Sequence, residues 1–182
     1  VLVALRADPE QVREVRAWLD GFDLPIEVLW CDAPPLVEKL AAAGLEGNRG
    51  KGRDVWLALG VAASDTEFVV VHDADASSYA ETHVPRLLFP LDHGFTFSKG
   101  YYARVENGRL YGRLNRLLYV PLLRALDEAH DDPIVDYLSA FRYSLAGEFA
   151  MTSDLVRKVR VPRSWGLEVG TLGAAFRLAG FE

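Results

Sequence analysis

Short apolar runs alternate with helix-spaced stretches along the first third of the chain. Leu2-Val3-Ala4-Leu5 has the pattern of a buried strand. Asp8 then offers an N-cap, Pro9 the first helical position and Gln11 a capping-box partner. Val12, Val15 and Leu19 follow at helical spacing, so the pattern predicts an amphipathic helix over 9–20. Gly21 and Pro25 break it, and a second strand over 26–30 ends at Cys31-Asp32. A helix over 35–43, stopped by Gly44, completes a β-α-β-α order that points to a parallel, doubly wound sheet. The loop Gly47-Asn48-Arg49-Gly50-Lys51-Gly52 leads into a helix over 54–63. After it, Phe68-Val69-Val70-Val71 suits a central strand buried on both faces, and it ends on Asp73-Ala74-Asp75.

The later part is less regular. It predicts a short helix over 84–91, a strand over 95–98, and two arms flanking Asn107-Gly108, a type I′ hairpin signal. A helical stretch over 113–129 carries Pro121 as a kink or restart. A strand over 145–151, one or two helical turns over 153–158 and a closing helix over 167–178 complete the reading. No repeat, linker or low-complexity tract divides the 182 residues, so one α/β domain is expected, its first half of nucleotide-binding type.

Composition narrows the classes. Twenty-six acidic against 20 basic residues give a net charge of −6, which argues against a nucleic-acid partner. The single cysteine, Cys31, forbids an intrachain disulfide and fits a reducing compartment. The apolar runs are too short to span a bilayer, and no basic-apolar leader opens the sequence, so a cytoplasmic location and no membrane partner are expected.

Asp73 and Asp75 are the sharpest chemical feature. Two carboxylates one residue apart at a strand's carboxyl end can converge on a hard cation such as Mg²⁺ or Mn²⁺, in the place where α/β sheets collect ligands. The same pattern also fits an ordinary loop. Gly50-Lys51-Gly52 before a helix suits an anion, with Lys51 adding a point charge, although it is no Walker loop and a surface loop reads equally well. Lys99, Arg104 and Arg113 place cations near the middle of an acidic chain. Glu148 and Glu168 each stand close to glycine in apolar surroundings, where an unpaired charge is costly. Glu168 also opens a helix, which favours an anion for structural reasons alone. His72 reads as a satisfied interior side chain, His83, His93 and His130 as surface, and Tyr101, Tyr102, Tyr111 and Tyr119 as packing.

Taken in order, Gly50-Lys51-Gly52, Asp73-Ala74-Asp75, Lys99-Gly100-Tyr101-Tyr102, Gly112-Arg113-Leu114-Asn115, Leu145-Ala146-Gly147-Glu148 and Gly166-Leu167-Glu168 form a series. From about Gly50 to Gly170 this series resembles the glucosyl-3-phosphoglycerate synthases and, more distantly, the mannosyl-3-phosphoglycerate synthases. The resemblance implies a GT-A (Rossmann-like) fold in one domain over 1–182, with a nucleotide-binding half over 1–75 and an acceptor-binding half over 76–182. It implies retaining transfer of glucose or mannose from a nucleotide diphosphate sugar to 3-phosphoglycerate, with Mg²⁺ or Mn²⁺ as cofactor and a homodimer as the assembly. Asp73 and Asp75 then correspond to the metal-binding Asp-x-Asp element, Asp75 being the direct ligand. Lys51, Asp73 and Gly147 fall on the nucleotide-sugar side, and Asp32 joins them on placement. Lys99, Arg113 and Asn115 fall on the acceptor side, and Glu168 lies near the reacting centre. The family carries Asp where Ala103 stands, Thr or Ser where Asn115 stands, and a metal-binding histidine downstream of the segment matching Glu168, where this sequence has none. A transferase using another phosphorylated or lipid-linked acceptor and a non-catalytic nucleotide-sugar-binding domain are the alternative readings.

Overall fold

The computed structural model describes residues 1–47, 49–76, 78–103 and 105–180. They divide into two units, Val1–Asp65 with Val161–Leu167, and Thr66–Arg160 with Glu168–Glu182.

In the first unit β1 (Leu2–Leu5) pairs in parallel with β2 (Glu27–Trp30), Leu2 opposite Glu27 and Leu5 opposite Trp30. Helix α1 (Pro9–Leu19) connects them. Its capping box is complete: the Asp8 carboxylate accepts from the Glu10 and Gln11 amides at 2.9 Å, and the Asp8 amide donates to the Gln11 side chain at 3.2 Å. Helix α2 spans Pro34–Ala42, and α3 (Lys51–Asp65) packs on β1. Val12, Cys31 and Leu59 are buried.

Helix α3 starts at Lys51, inside what the pattern reads as a loop. Gly52 is buried in the first turn, where a side chain would run into the Pro162 carbonyl. The Arg53 amide donates to the Arg163 carbonyl at 3.1 Å, so a remote segment satisfies a donor that a side-chain cap normally takes.

The second unit holds β3 (Phe68–Val71), α4 (His83–Asp92), β4 (Phe97–Lys99), the hairpin β5 (Val105–Glu106) and β6 (Arg109–Leu110), α5 (Val120–Ala129), α6 (Pro133–Ala140), β7 (Phe149–Thr152), α7 (Ser153–Val156) and α8 (Leu167–Ala179). β7 lies between β3 and β4 and runs antiparallel to both. The central strand among the described residues is therefore β7 and not β3, and Phe149, Ala150 and Met151 are at most 1% exposed. Leu87 and Leu91 of α4 cover Ala150, Phe68 and Val70.

Three further expectations change. The strand expected over 145–151 begins only at Phe149, because the peptides before it bond to the end of β4: Lys99 Nζ donates to the Ala146 carbonyl, and the Gly100 amide to the Glu148 carbonyl at 2.8 Å. The helix over 113–129 opens into a π segment at Asn115–Tyr119 and restarts as α5 with Pro121 in its first turn. Pro121 has no N–H for the carbonyl four residues back, which explains the change of ladder there. Helix α6 was not anticipated; Asp132 caps it by accepting from the Ile134 amide at 3.1 Å, with Pro133 at its start. The hairpin forms as expected, with Asn107 and Gly108 both at positive φ, 50° and 69°.

Candidate functional site

Because β7 runs against its neighbours, its first residues lie beside the last residues of β3 and β4. One end of the three-stranded sheet thus gathers Asp73, Lys99 and the 146–148 segment. Gly147 sits directly against the Asp73 carboxylate. Lys99 reaches the Ala146 carbonyl, with its ammonium 5.9 Å from the Phe149 ring centre. Glu148 is 6% exposed, and its Oε2 atom has no hydrogen-bond partner among the described residues. Burial raises the Glu148 pKa and the charge of Asp73 adds to it, while Lys99 and a hydrogen bond with Tyr102 pull the other way. The Tyr102 hydroxyl is raised in turn, by burial first and then by Glu148 and Asp73, and its ring meets Tyr143 edge-on at 5.6 Å.

Asp75 is exposed in the turn that follows Asp73. The donor chemistry suits a hard divalent ion, since both side chains offer carboxylate oxygens. Among the described residues no group of three or more His, Cys, Asp or Glu side chains is arranged to hold an ion. His72, just before Asp73, is half-buried, and its Nε2 finds no partner among the described residues, contrary to the expected satisfied side chain. Burial lowers its pKa, with His83 adding to the effect.

Arg113 is exposed, and Asn115 is buried with its Oδ1 unpartnered among the described residues. Glu168 is half-buried in the first turn of α8. Arg104 lies outside the described residues.

The first unit has its own charged cluster. The buried Arg53 guanidinium donates to Asp32 Oδ1 at 2.7 Å and to Asp54 Oδ1 at 2.9 and 3.1 Å. Arg49 approaches Asp32 at 3.4 Å, and Arg6 approaches Asp54 at 3.5 Å. Burial works against the charge of Arg53, but the bonds to Asp32 and Asp54 outweigh it and leave its pKa raised. The buried Cys31 thiol is pushed up to about 11, by burial first and Asp54 next, so it is no nucleophile. Lys51 is exposed in the first turn of α3.

Neither Arg53 nor Tyr102 stands out for chemistry in the residue pattern. Arg53 has no signature of its own beside Gly50-Lys51-Gly52. Tyr102 stands in the Lys99-Gly100-Tyr101-Tyr102 motif, which was the available signal.

No family model matches the chain. The chain is similar to the glucosyl-3-phosphoglycerate synthase of Methanococcoides burtonii, at 40% identity over 190 residues, which takes in 98% of this chain and 47% of the relative. The synthase of Persephonella marina is 39% identical over 192 residues, covering 100% of this chain and 47% of the relative. Among solved structures, the Mycobacterium tuberculosis synthase in complex with Mn²⁺, UDP and glucosyl-3-phosphoglycerate superposes with a TM-score of 0.70 at 25% identity, over 98% of this chain and 55% of that one. The fold is accordingly the GT-A fold of these enzymes. The chain spans about half the length of the curated relatives it matches.

Proposed function

We propose that this chain is part of a metal-dependent, retaining glycosyltransferase of the glucosyl-3-phosphoglycerate synthase family, which moves glucose from a nucleotide diphosphate sugar to 3-phosphoglycerate. The observation that carries this reading is the 40% identity to a synthase of that name across nearly the whole chain. The complex of the M. tuberculosis enzyme with Mn²⁺, UDP and the glucosylated product supports the choice of donor, ion and acceptor. A single GT-A domain, with a nucleotide half over 1–75 and an acceptor half over 76–182, a cytoplasmic location and a homodimer belong to the same proposal. No helix among the described residues is long and apolar enough to cross a membrane, which is compatible with it.

In this reading Asp73 and Asp75 hold the ion and, through it, the pyrophosphate. When bound, a divalent cation neutralises charge on the departing diphosphate as a Lewis acid. Asp32 and Lys51 serve the nucleotide, and Gly147 lines the donor side. Lys99, Arg113 and Asn115 hold the anionic acceptor, with Arg113 able to form a forked contact to its phosphate. Glu168 stands near the reacting centre. Most of the rate enhancement comes from aligning two anionic substrates, and retention needs no strong protein nucleophile.

The test is UDP release from UDP-glucose, with and without Mn²⁺ and 3-phosphoglycerate, beside an Asp75→Ala variant. Release that needs both additions and is lost in the variant is the expected outcome. Release that ignores 3-phosphoglycerate would remove the acceptor assignment, and full activity in Asp75→Ala would remove the metal assignment.

A further inference from the structure

We infer that Gly147 is a positioning residue that seats the Asp73 carboxylate, so that its missing side chain determines where the proposed metal and nucleotide ligand stands. Three observations carry this.

A Cβ at Gly147 would overlap Oδ1, Cγ and Oδ2 of Asp73 together, which means the whole carboxylate occupies the space that a side chain at 147 would need. A small rotation that frees one oxygen therefore does not free the group. Nor does backbone conformation demand the glycine, since Gly147 is absent from the residues at positive φ. What remains is close approach.

The peptides on either side of Gly147 are also tied down. Lys99 Nζ donates to the Ala146 carbonyl, and the Gly100 amide donates to the Glu148 carbonyl at 2.8 Å. The next residue, Phe149, pairs with Val71 on one side and Lys99 on the other. A side chain added at 147 thus meets a paired backbone on one side and the terminal atoms of the Asp73 side chain on the other, and those atoms can rotate without breaking the sheet. The displacement falls on the ligand while the fold survives. Partners that orient a metal ligand, without touching the metal, typically change metal affinity roughly 10–100-fold when altered.

The inference rests on the proposed role of Asp73, and two measurements separate them. A crystal structure of Gly147→Ala tests the seat alone. The expected result is an Asp73 carboxylate moved from its place over an unmoved 146–149 backbone; a carboxylate left in place beside a shifted backbone would overturn the inference. Calorimetric titration of UDP with and without Mn²⁺ tests the consequence, with Gly60→Ala as control because a Cβ there has nothing within 4 Å. Gly147→Ala is expected to lose at least about tenfold in Mn²⁺-dependent UDP affinity, with its thermal midpoint near the wild-type value and Gly60→Ala unaffected. Unchanged UDP affinity with a displaced carboxylate would refute the functional half. A wild-type chain that ignores Mn²⁺ and UDP would count against the proposed function, leaving the crystal structure to decide the seat.

Discussion

At the scale of single residues, the charge at Arg53 shows what a buried ion pair demands. One guanidinium bridges Asp32 and Asp54, whose side chains are 8% and 10% exposed. Taking Arg53 away leaves two carboxylates out of water without their common partner. Arg53→Met is expected to destabilise the chain by ~3–5 kcal/mol in urea denaturation. Arg53→Lys should recover only part of that loss, because a single ammonium cannot reproduce the fork across both acids. An Arg53→Met midpoint equal to wild type would show that the cluster is energetically idle. Asp73 was legible in the sequence because strand end and carboxylate spacing coincide in one short segment. Arg53 was not, since its partners come from the end of β2 and its own helix, and no local pattern reports that meeting.

Elements were legible where their punctuation is local. The capping box of α1 and the Asn107-Gly108 turn are both written within four residues, and both form. The start of α3 is not local, because its first turn is completed by Pro162 and Arg163 from far along the chain. Gly52→Ala is therefore expected to destabilise by ~1–3 kcal/mol through the clash with the Pro162 carbonyl. Gly60→Ala in the same helix should stabilise by ~0.5–1 kcal/mol, as for an exposed helical glycine. Chemical denaturation of the two variants side by side tests the claim, and equal effects would sink it. The π segment is illegible for a related reason: Pro121 announces a disturbance but not which ladder replaces the regular one. The candidate site suffers likewise. Its individual acids and bases lie in readable motifs, while the seating of Asp73 on Gly147 depends on strand order.

At the scale of the whole molecule, strand order is the feature with the widest reach. β7 completes both neighbours, and the join is long in sequence: Ser153, just past β7, donates its hydroxyl to the Thr66 carbonyl at 2.6 Å across 87 positions. Contacts so distant make assembly slow, because a long loop must close before they form. A ribosome delivers the chain amino end first. For as long as β7 remains in the exit tunnel, β3 and β4 have emerged without the strand that pairs with both, and the proposed seat of Asp73 is not yet made. Nascent chains halted at that stage should be cut readily by protease, whereas chains released a few dozen residues later should resist; equal resistance at both lengths would contradict the argument. A chain made only as far as β4 thus lacks the strand that brings the ends of β3 and β4 together with the 146–148 segment.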